Sequence, residues 1–303
     1  MATFKHILVP VDLSERSRRS VAEAVILARG SGARLTVLHV APPFVNRETR
    51  ADLRSRLSSL VGPRDERLAL DIEVAEGDPA REAVAFASAY AVDLIVVGAR
   101  RRGALERAIL ESVGDTIVRE APCAVLTVGV RHDSALPPPR LRRVLCAVDL
   151  ADSSRRTLEL AGAVAEAAGA RLTVLHVIDP WHWPDPGPMG RKALEAERNA
   201  LERVADSRLS ALLDGASGPS VDVASLVLFG LIGPQIVKTA TTGNADLVVL
   251  GAHSKRVFGR TYLGSTARYV LETAPCPILF ARPAPGAAVH STATHAGQLV
   301  SKD

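Results

Sequence analysis

Cysteine, lysine and aromatic residues are all scarce in this chain of 303 residues. Its three cysteines (Cys123, Cys146 and Cys276) are an odd number, lie inside apolar runs and form no Cys-x-x-Cys pair. This pattern argues against a disulfide framework and predicts buried thiols in a reducing compartment.

Long apolar segments are missing as well. No uncharged apolar run approaches the 18 residues that a membrane helix needs, and the N-terminus lacks the features of a secretory signal peptide. We therefore expect a cytoplasmic protein with no membrane contact.

Aromatic residues make up only 4%, and the arginines that give the net charge of +4 are interspersed with acidic residues. This distribution disfavours a nucleic-acid partner, which would require a basic surface or stacking platform.

What the chain does contain is an internal repeat. The nine residues Gly-Ala-Arg-Leu-Thr-Val-Leu-His-Val occur at 32–40 and again at 169–177. Asp12 and Asp149, each at the end of an apolar run, are separated by the same 137 residues (149 − 12). Two further motifs recur 153 residues apart (276 − 123), Asp-Leu-Ile/Val-Val-x-Gly at 93–98 and 246–251 and Ala-Pro-Cys at 121–123 and 274–276. The chain therefore contains two copies of one domain, and the second copy has 16 extra residues (153 − 137).

Each copy alternates strand-like and helix-like segments with short connections, which predicts a parallel sheet covered by helices on both faces. We expect an α/β protein of two tandem flavodoxin-like or Rossmann-like domains, each with a five-stranded parallel sheet. The first predicted helix begins after Ser14 and stops at Gly30. The expected division is a first domain at 1–130, a Pro-rich linker at 131–141, a second domain at 142–282 and a disordered tail at 283–303.

The stretch 251–266, GAHSKRVFGRTYLGST, lies between a buried strand and a helix. Its glycines permit close approach of a ligand to the backbone, and N–H groups at a helix N-terminus favour an anion. The stretch matches neither the G-x-x-x-x-G-K-[ST] loop nor G-x-G-x-x-G. From the residues alone, a phosphate site and an ordinary strand-to-helix loop with a good N-cap both remain open.

The ordered set of motifs resembles the universal stress protein family in its tandem two-domain form. The set comprises strands ending in Val-Asp, the repeated Leu-Thr-Val-Leu-His-Val, the Asp-Leu-Ile/Val-Val-x-Gly strand, Leu-Gly-Ser-Thr at 263–266 and Ala-Pro-Cys-Pro-Ile-Leu at 274–279. The resemblance covers about residues 3–130 and 142–282. It implies an ATP-binding protein, with Mg²⁺, that acts as a nucleotide-dependent regulator in a stress response.

ATP-binding members of that family carry Gly, two residues, Gly, nine residues, then Gly and Ser or Thr. The second copy matches this pattern except that Ser254 replaces the second glycine. The resemblance implies these cofactor-binding residues: Val148, Asp149, Val177, Gly251, His253, Ser254, Gly264, Ser265 and Thr266. It implies that Asp149 accepts from the ribose hydroxyls or the adenine region, and that the backbone of Val177 meets the adenine edge. AMP or a cyclic nucleotide in the same pocket remains open.

The first copy departs from the pattern, because Arg101 and Glu111 stand where the glycines belong. A carboxylate facing phosphate repels it, and a β-carbon crowds the backbone approach. We predict a weak or empty first site. The residues left of it are Asp12, Val40, Gly98 and Ser112.

Family members pair through the last strand, so residues 123–128 and 276–281 are expected to pair as an intramolecular pseudo-dimer. A homodimer or other homo-oligomer of whole chains stays open.

No catalytic residues are predicted, and hydrolysis of ATP is expected to be slow at most. A nucleotide-free structural member is the main alternative. An enzyme that cleaves ATP between the α- and β-phosphates, or a phospho-accepting receiver domain, is disfavoured because the loop at 12–17 and the last strands lack the required residues.

Overall fold

The computed structural model describes residues 4–41, 50–62, 68–98, 112–128, 141–179, 191–215, 221–252, 254–257 and 260–282. The elements of the first half are β1 (His6–Val11), α1 (Glu15–Ser31), β2 (Arg34–Ala41), α2 (Arg50–Val61), β3 (Leu70–Glu76), α3 (Pro79–Ala89), β4 (Leu94–Gly98), α4 (Val113–Glu120) and β5 (Ala124–Val128). The elements of the second half are β6 (Arg143–Val148), α5 (Ser154–Ala168), β7 (Arg171–Ile178), α6 (Arg191–Gly215), β8 (Val223–Phe229), α7 (Ile232–Thr242), β9 (Leu247–Gly251), β10 (Ser254–Val257), β11 (Arg260–Leu263), α8 (Ser265–Thr273) and β12 (Ile278–Ala281). The alternation of strands and helices confirms the α/β class.

Ten of these strands form one sheet in the order β3-β2-β1-β4-β5-β12-β9-β6-β7-β8. Within each half the five strands are parallel, and the order 3-2-1-4-5 is the Rossmann-type order. The strand order reverses between β1 and β4 in the first half and between β6 and β9 in the second. These two switch points are where ligands of open α/β sheets bind.

The two halves join through their last strands, as predicted. β5 and β12 are antiparallel, with Leu126 opposite Leu279 at the centre of the pair. These two leucines are also equivalent in the repeat (279 − 126 = 153), so a local pseudo-twofold axis passes between them. Thr127 pairs with Ile278 and, on the other side of the axis, Val125 pairs with Phe280. The junction leaves neither last strand as an exposed sheet edge, which protects both from pairing with other chains.

Side chains alternate between the two faces of each strand, and this alternation builds two hydrophobic cores. One core contains Ile7 and Leu279, and the core on the other face contains Leu8 and Phe280. Each core includes buried residues from both halves of the chain. The two copies therefore share their packing across the junction.

The first helix extends beyond its predicted end. Gly30 was the expected stop, but it lies inside α1, and Gly32 ends the helix in the left-handed conformation with φ of 67°. The equivalent residue Gly169 ends α5 with φ of 62°. A left-handed residue after a helix satisfies its last carbonyl groups and favours glycine, whereas a glycine inside a helix is merely tolerated.

Two features belong to the second half alone among the described residues. The 25-residue helix α6 stands where the first half has the 12-residue α2, which accounts for most of the insertion. β10 and β11 form an antiparallel hairpin inside the stretch expected to be a loop. Linker residues 131–140 and the tail at 283–303 lie outside the described residues. No helix within the described ranges is long and apolar enough to cross a membrane.

Candidate functional site

The second switch point brings together the ends of β6 and β9. These strands are parallel neighbours, with Ala147 opposite Leu250. Asp149 therefore leaves the sheet beside Gly251, on the edge formed by the carboxyl ends of the strands. The hairpin begins directly after this edge and leads into α8, whose first residue is Ser265. The topology thus brings a carboxylate, a glycine and a helix N-terminus to the same edge of the sheet, where a switch point forms a crevice between the strand ends.

Asp149 is held in a defined orientation by its neighbours. Its Oδ1 accepts a hydrogen bond from the Ser154 hydroxyl at 2.6 Å and another from the Ala151 N–H at 3.0 Å. The Asp149 N–H in turn donates to the Ser154 hydroxyl at 3.2 Å. Between them Leu150 has φ of 59°, a conformation that costs a non-glycine residue on the order of 1–2 kcal/mol. The hydrogen bonds offset this strain and fix the carboxylate at the crevice.

The first half repeats this turn. Asp12 Oδ1 accepts from the Ser17 hydroxyl at 2.6 Å and from the Ser14 N–H at 3.0 Å, and Leu13 has φ of 60°. Burial raises the pKa of Asp12, but the hydrogen bonds from Ser14 and Ser17 outweigh burial and leave the pKa below its ordinary value. Both aspartates could be predicted from the sequence, whereas Ser17 and Ser154 were missed, although each lies five residues after its aspartate in the repeat.

The histidine of the repeated nine-residue motif also has a structural role. Nδ1 of His176 lies 3.0 Å from the carbonyl oxygen of Val148, and Nδ1 of His39 lies 2.9 Å from that of Val11. Since a carbonyl only accepts, Nδ1 carries the proton in both copies. In each half, the histidine of the second strand therefore hydrogen-bonds the residue that precedes the aspartate. The motif therefore positions the turn at the switch point.

Helix α8 presents an open N-terminus to the crevice. Its N-cap is Gly264, which has no side chain to close the first turn, and that turn contains no acidic residue. Ser265 is exposed and Thr266 is half-buried. The first N–H groups of a helix have no partner within it, and the helix dipole favours a negative charge there. Two hydroxyls and several backbone donors therefore lie at the start of this helix, and such groups are the kind that bind anions.

The corresponding helix α4 is closed by its own side chains. The Ser112 hydroxyl accepts from the Asp115 N–H at 3.1 Å, and the Asp115 carboxylate accepts from the Ser112 N–H at 3.1 Å. This capping box uses two donors and places a negative charge in the first turn. The residue equivalent to Asp115 in α8 is Arg268 (268 − 115 = 153), so the charge is inverted between the copies.

The other residues predicted for the second site differ in what they can offer. The side chains of Val148 and Val177 are buried, with 7% and 6% exposed, so only their backbone atoms could face a ligand. Gly251 ends β9 and is half-buried. Ser254 begins β10 opposite Leu263, which draws the two ends of the hairpin together. His253 lies outside the described residues.

In the first half, Gly98 is exposed at the end of β4 and Val40 is buried near the end of β2. A β-carbon at Gly98 would lie 3.3 Å from the Ser20 hydroxyl oxygen. This crowding gives glycine a local packing reason at that position. Arg101 and Glu111, to which the defect of this site was attributed, lie outside the described residues.

Two motif aspartates are structural. The Asp93 carboxylate accepts from the backbone N–H of Lys5 at 2.7 Å, and the Asp246 carboxylate accepts from those of Arg142 and Arg143 at 2.9 Å. Both hydrogen-bond the starts of neighbouring strands, at the amino edge of the sheet and far from the crevice.

Burial raises the pKa of all three cysteine thiols to about 12. They are therefore protonated and inert at neutral pH, which argues against a thiolate nucleophile.

The fold described above is a tandem pair of Rossmann-like domains, and the fourth helix of the second copy begins without a side-chain cap. The model of the universal stress protein family matches residues 3–129 and 140–282, most of the chain. The chain belongs to the universal stress protein family and carries two copies of its domain.

Relatives of known name agree with this membership. A universal stress protein of Mycolicibacterium smegmatis is 27% identical over 307 residues, covering 93% of this chain and 98% of that protein. Universal stress protein Rv1996 of Mycobacterium tuberculosis is 31% identical over 196 residues, covering 63% of this chain. That alignment spans 59% of the relative's own length.

Solved structures agree in fold over nearly the whole chain. The functionally unknown protein PA1789 of Pseudomonas aeruginosa has a TM-score of 0.68 at 19% identity and covers 93% of both chains. A universal stress protein of Archaeoglobus fulgidus has a TM-score of 0.61 at 19% identity and covers 91% of this chain and 96% of its own. At these identities the structures support the shared architecture alone.

Proposed function

We propose that this chain binds one adenine nucleotide, in the second domain, and acts as a nucleotide-dependent regulator in a stress response. The observation that carries the proposal is the open N-terminus of α8, on the same edge of the sheet as the switch point, where hydrogen bonds hold the carboxylate of Asp149. An uncapped helix end favours phosphate, and a carboxylate that only accepts hydrogen bonds suits ribose hydroxyls or an exocyclic amine.

In this proposal, different elements of the second domain contact the different parts of the nucleotide. The phosphates lie at Gly264, Ser265 and Thr266, where backbone N–H groups and two hydroxyls donate to them. Gly251 and Ser254 lie under the ribose and α-phosphate, where small residues permit close approach. The adenine edge meets the backbone of Val177. Together with Val148, Asp149 and His253 these residues form the proposed cofactor site, for which ATP is the first candidate and AMP or a cyclic nucleotide the alternatives.

The first domain binds nucleotide weakly or not at all under this proposal. The capping box of Ser112 and Asp115 occupies donors that a phosphate would need, and the Asp115 carboxylate repels it. Asp12 and Val40 retain the framework of the site. This self-closed helix is a second cause for the defect, additional to the substitutions at 101 and 111.

The described residues contain no cluster of three or more side chains suited to a metal ion. Mg²⁺ enters the proposal as an ion carried by the phosphates, a common arrangement for this cation. Slow hydrolysis of ATP needs no dedicated base, and no catalytic residue is assigned. A cytoplasmic location and a homodimer of whole chains complete the proposal, since the intramolecular junction leaves other surfaces available for pairing.

Calorimetric titration of the purified chain with ATP, with and without Mg²⁺, tests this function. AMP and cyclic AMP are titrated in parallel, after any nucleotide retained through purification has been removed and identified. One site per chain is expected. Two sites per chain would contradict the closed first domain, and no binding of any of the three ligands would favour a nucleotide-free structural member.

A further inference from the structure

The hairpin of the second domain is attached at its first end to the strand that joins the two domains. Gly251, the last residue of β9, lies opposite Ala281 of β12. The Ala252 N–H, two residues before the hairpin begins, donates to the Ala281 carbonyl at 2.9 Å. The position of this end is therefore set by the last residue of β12.

The residue after Ala281 reaches into the first domain. Arg282 is only 8% exposed, and its Nη2 donates to the carbonyl oxygen of Val118 in the last turn of α4. Burial lowers the pKa of Arg282 to about 10, so the side chain remains a cation at neutral pH. A cation at a helix C-terminus interacts favourably with the exposed carbonyl groups and the helix dipole. Arg282 thus links the first end of the hairpin to α4.

The other end of the hairpin is held by the same helix. The backbone of β11 lies close to that of α4, although the two elements belong to different domains. Leu263, the last residue of β11, packs on the core that contains Ile117 and Val118 of α4. Gly264 and the open N-terminus of α8 follow immediately. Helix α4 therefore contacts the second domain at both ends of the stretch that leads from β9 to α8.

We propose that α4 of the first domain is the support that holds the nucleotide-binding stretch of the second domain in its binding conformation. This inference rests on the proposed function, and it makes the affinity of the second domain depend on the first. The first domain then contributes positioning residues to the site of its neighbour. The capping box of Ser112 and Asp115 suits this role, because it stabilises α4 without needing a ligand.

The physical basis is preorganisation. A stretch held at both ends loses little conformational freedom when a ligand binds, whereas an unsupported one must be ordered at the expense of affinity. Releasing the support should therefore weaken nucleotide binding about five- to tenfold while the stoichiometry stays unchanged. Exchange of backbone hydrogens in peptides that contain Ala252 or Leu263 should become faster by a similar factor, with or without nucleotide.

The test compares two pairs of full-length variants by ATP titration and hydrogen exchange. Arg282→Met removes the link to α4, and its control Arg155→Met removes a similar bond, from Arg155 Nη1 to the Gly215 carbonyl at the end of α6 (2.7 Å). Ser112→Ala uncaps α4, and its control Asp78→Ala uncaps α3, where the Asp78 carboxylate accepts from the Arg81 N–H at 2.9 Å. The Ser112 pair keeps the test decisive if Arg282→Met fails to fold.

Weaker binding and faster exchange near the hairpin in Ser112→Ala and Arg282→Met, but not in their controls, would support the inference. Equal affinity and unchanged exchange in all four variants would overturn it. If the proposed nucleotide binding is itself wrong, the result is distinguishable, because the unsubstituted chain would then bind no nucleotide. Hydrogen exchange would still report whether α4 supports the hairpin.

Discussion

Replacing Thr266 by glutamate should weaken nucleotide binding while leaving the fold intact or slightly more stable. Thr266 is the second residue of α8 and is half-buried at the open N-terminus. Glutamate is a better helix former than threonine, and an acidic residue in the first turn stabilises a helix by about 0.3–1 kcal/mol. The same carboxylate competes with a bound phosphate for the donors of the first turn and repels it.

The magnitude follows from Coulomb's law. Two unit charges about 5 Å apart interact by about 3.3 kcal/mol at an effective dielectric constant of about 20. Solvent and salt reduce this value because the helix end is partly exposed. We therefore expect a loss of about 1.4–2.8 kcal/mol, or about 10- to 100-fold in affinity. The loss should shrink as salt concentration rises.

Titration calorimetry with ATP measures the affinity, and urea denaturation of the ligand-free chain measures the free energy of unfolding. Thr266→Gln keeps the size of the side chain without its charge and should lose much less affinity. Val113→Glu places a carboxylate at the equivalent position of α4, where the side chain is 43% exposed, and should leave the binding unchanged. Wild-type affinity in Thr266→Glu would show that the phosphates do not lie at α8.

Three further predictions concern the turns and the domain junction. Ser154→Ala should weaken ATP binding about tenfold, because Asp149 loses a hydrogen bond that orients it; Ser17→Ala should have no effect on affinity, and equal losses would contradict the assignment of one site. Leu279→Asp should lower the free energy of unfolding by about 3 kcal/mol or more, since it buries an unpaired charge at the junction. The matched change at Leu231, which is 52% exposed, should cost less than about 0.5 kcal/mol in the same urea denaturation assay. The pKa of Asp12 is lower in the folded chain than its ordinary value of 3.8. The ionised Asp12 therefore stabilises the fold at pH values above 3.8, and this contribution is lost as the pH falls through the pKa of the folded state. Asp12→Asn should therefore flatten the acid limb of stability measured against pH, and an unchanged limb would refute this.

The fold could be predicted from the sequence because its determinants are local and repeated. The strands are continuous apolar runs, and the nine identical residues at 32–40 and 169–177 fixed the equivalence of the two halves. The pairing of β5 with β12 came from the family resemblance, because no pattern within a strand names its neighbour. The end of α1 at Gly32 was missed since Gly30 and Gly32 are equally permissive, and only the backbone conformation distinguishes them.

The site was predicted less completely, because its geometry depends on contacts across the sheet. Asp149 could be found from its place at a strand end, but its partner Ser154 becomes visible only when the turn folds back. The role of His176 likewise requires β6 and β7 to be neighbours. The hairpin within 251–266 was expected to be a loop, since its glycines and hydroxyls suggest irregular structure and its strands are only four residues long.

The difference between the two copies depends on how each fourth helix begins. Both helices follow the same kind of strand, yet α4 starts after Ser112 and α8 starts after Gly264, one residue earlier in the repeat. That shift, together with Asp115 in place of Arg268, converts an open donor set into a closed one. A capped helix satisfies part of its first N–H groups with its own side chains, so it can serve as a fixed support. An uncapped helix leaves them to solvent or to an anion, so binding and support can reside in different copies of one domain.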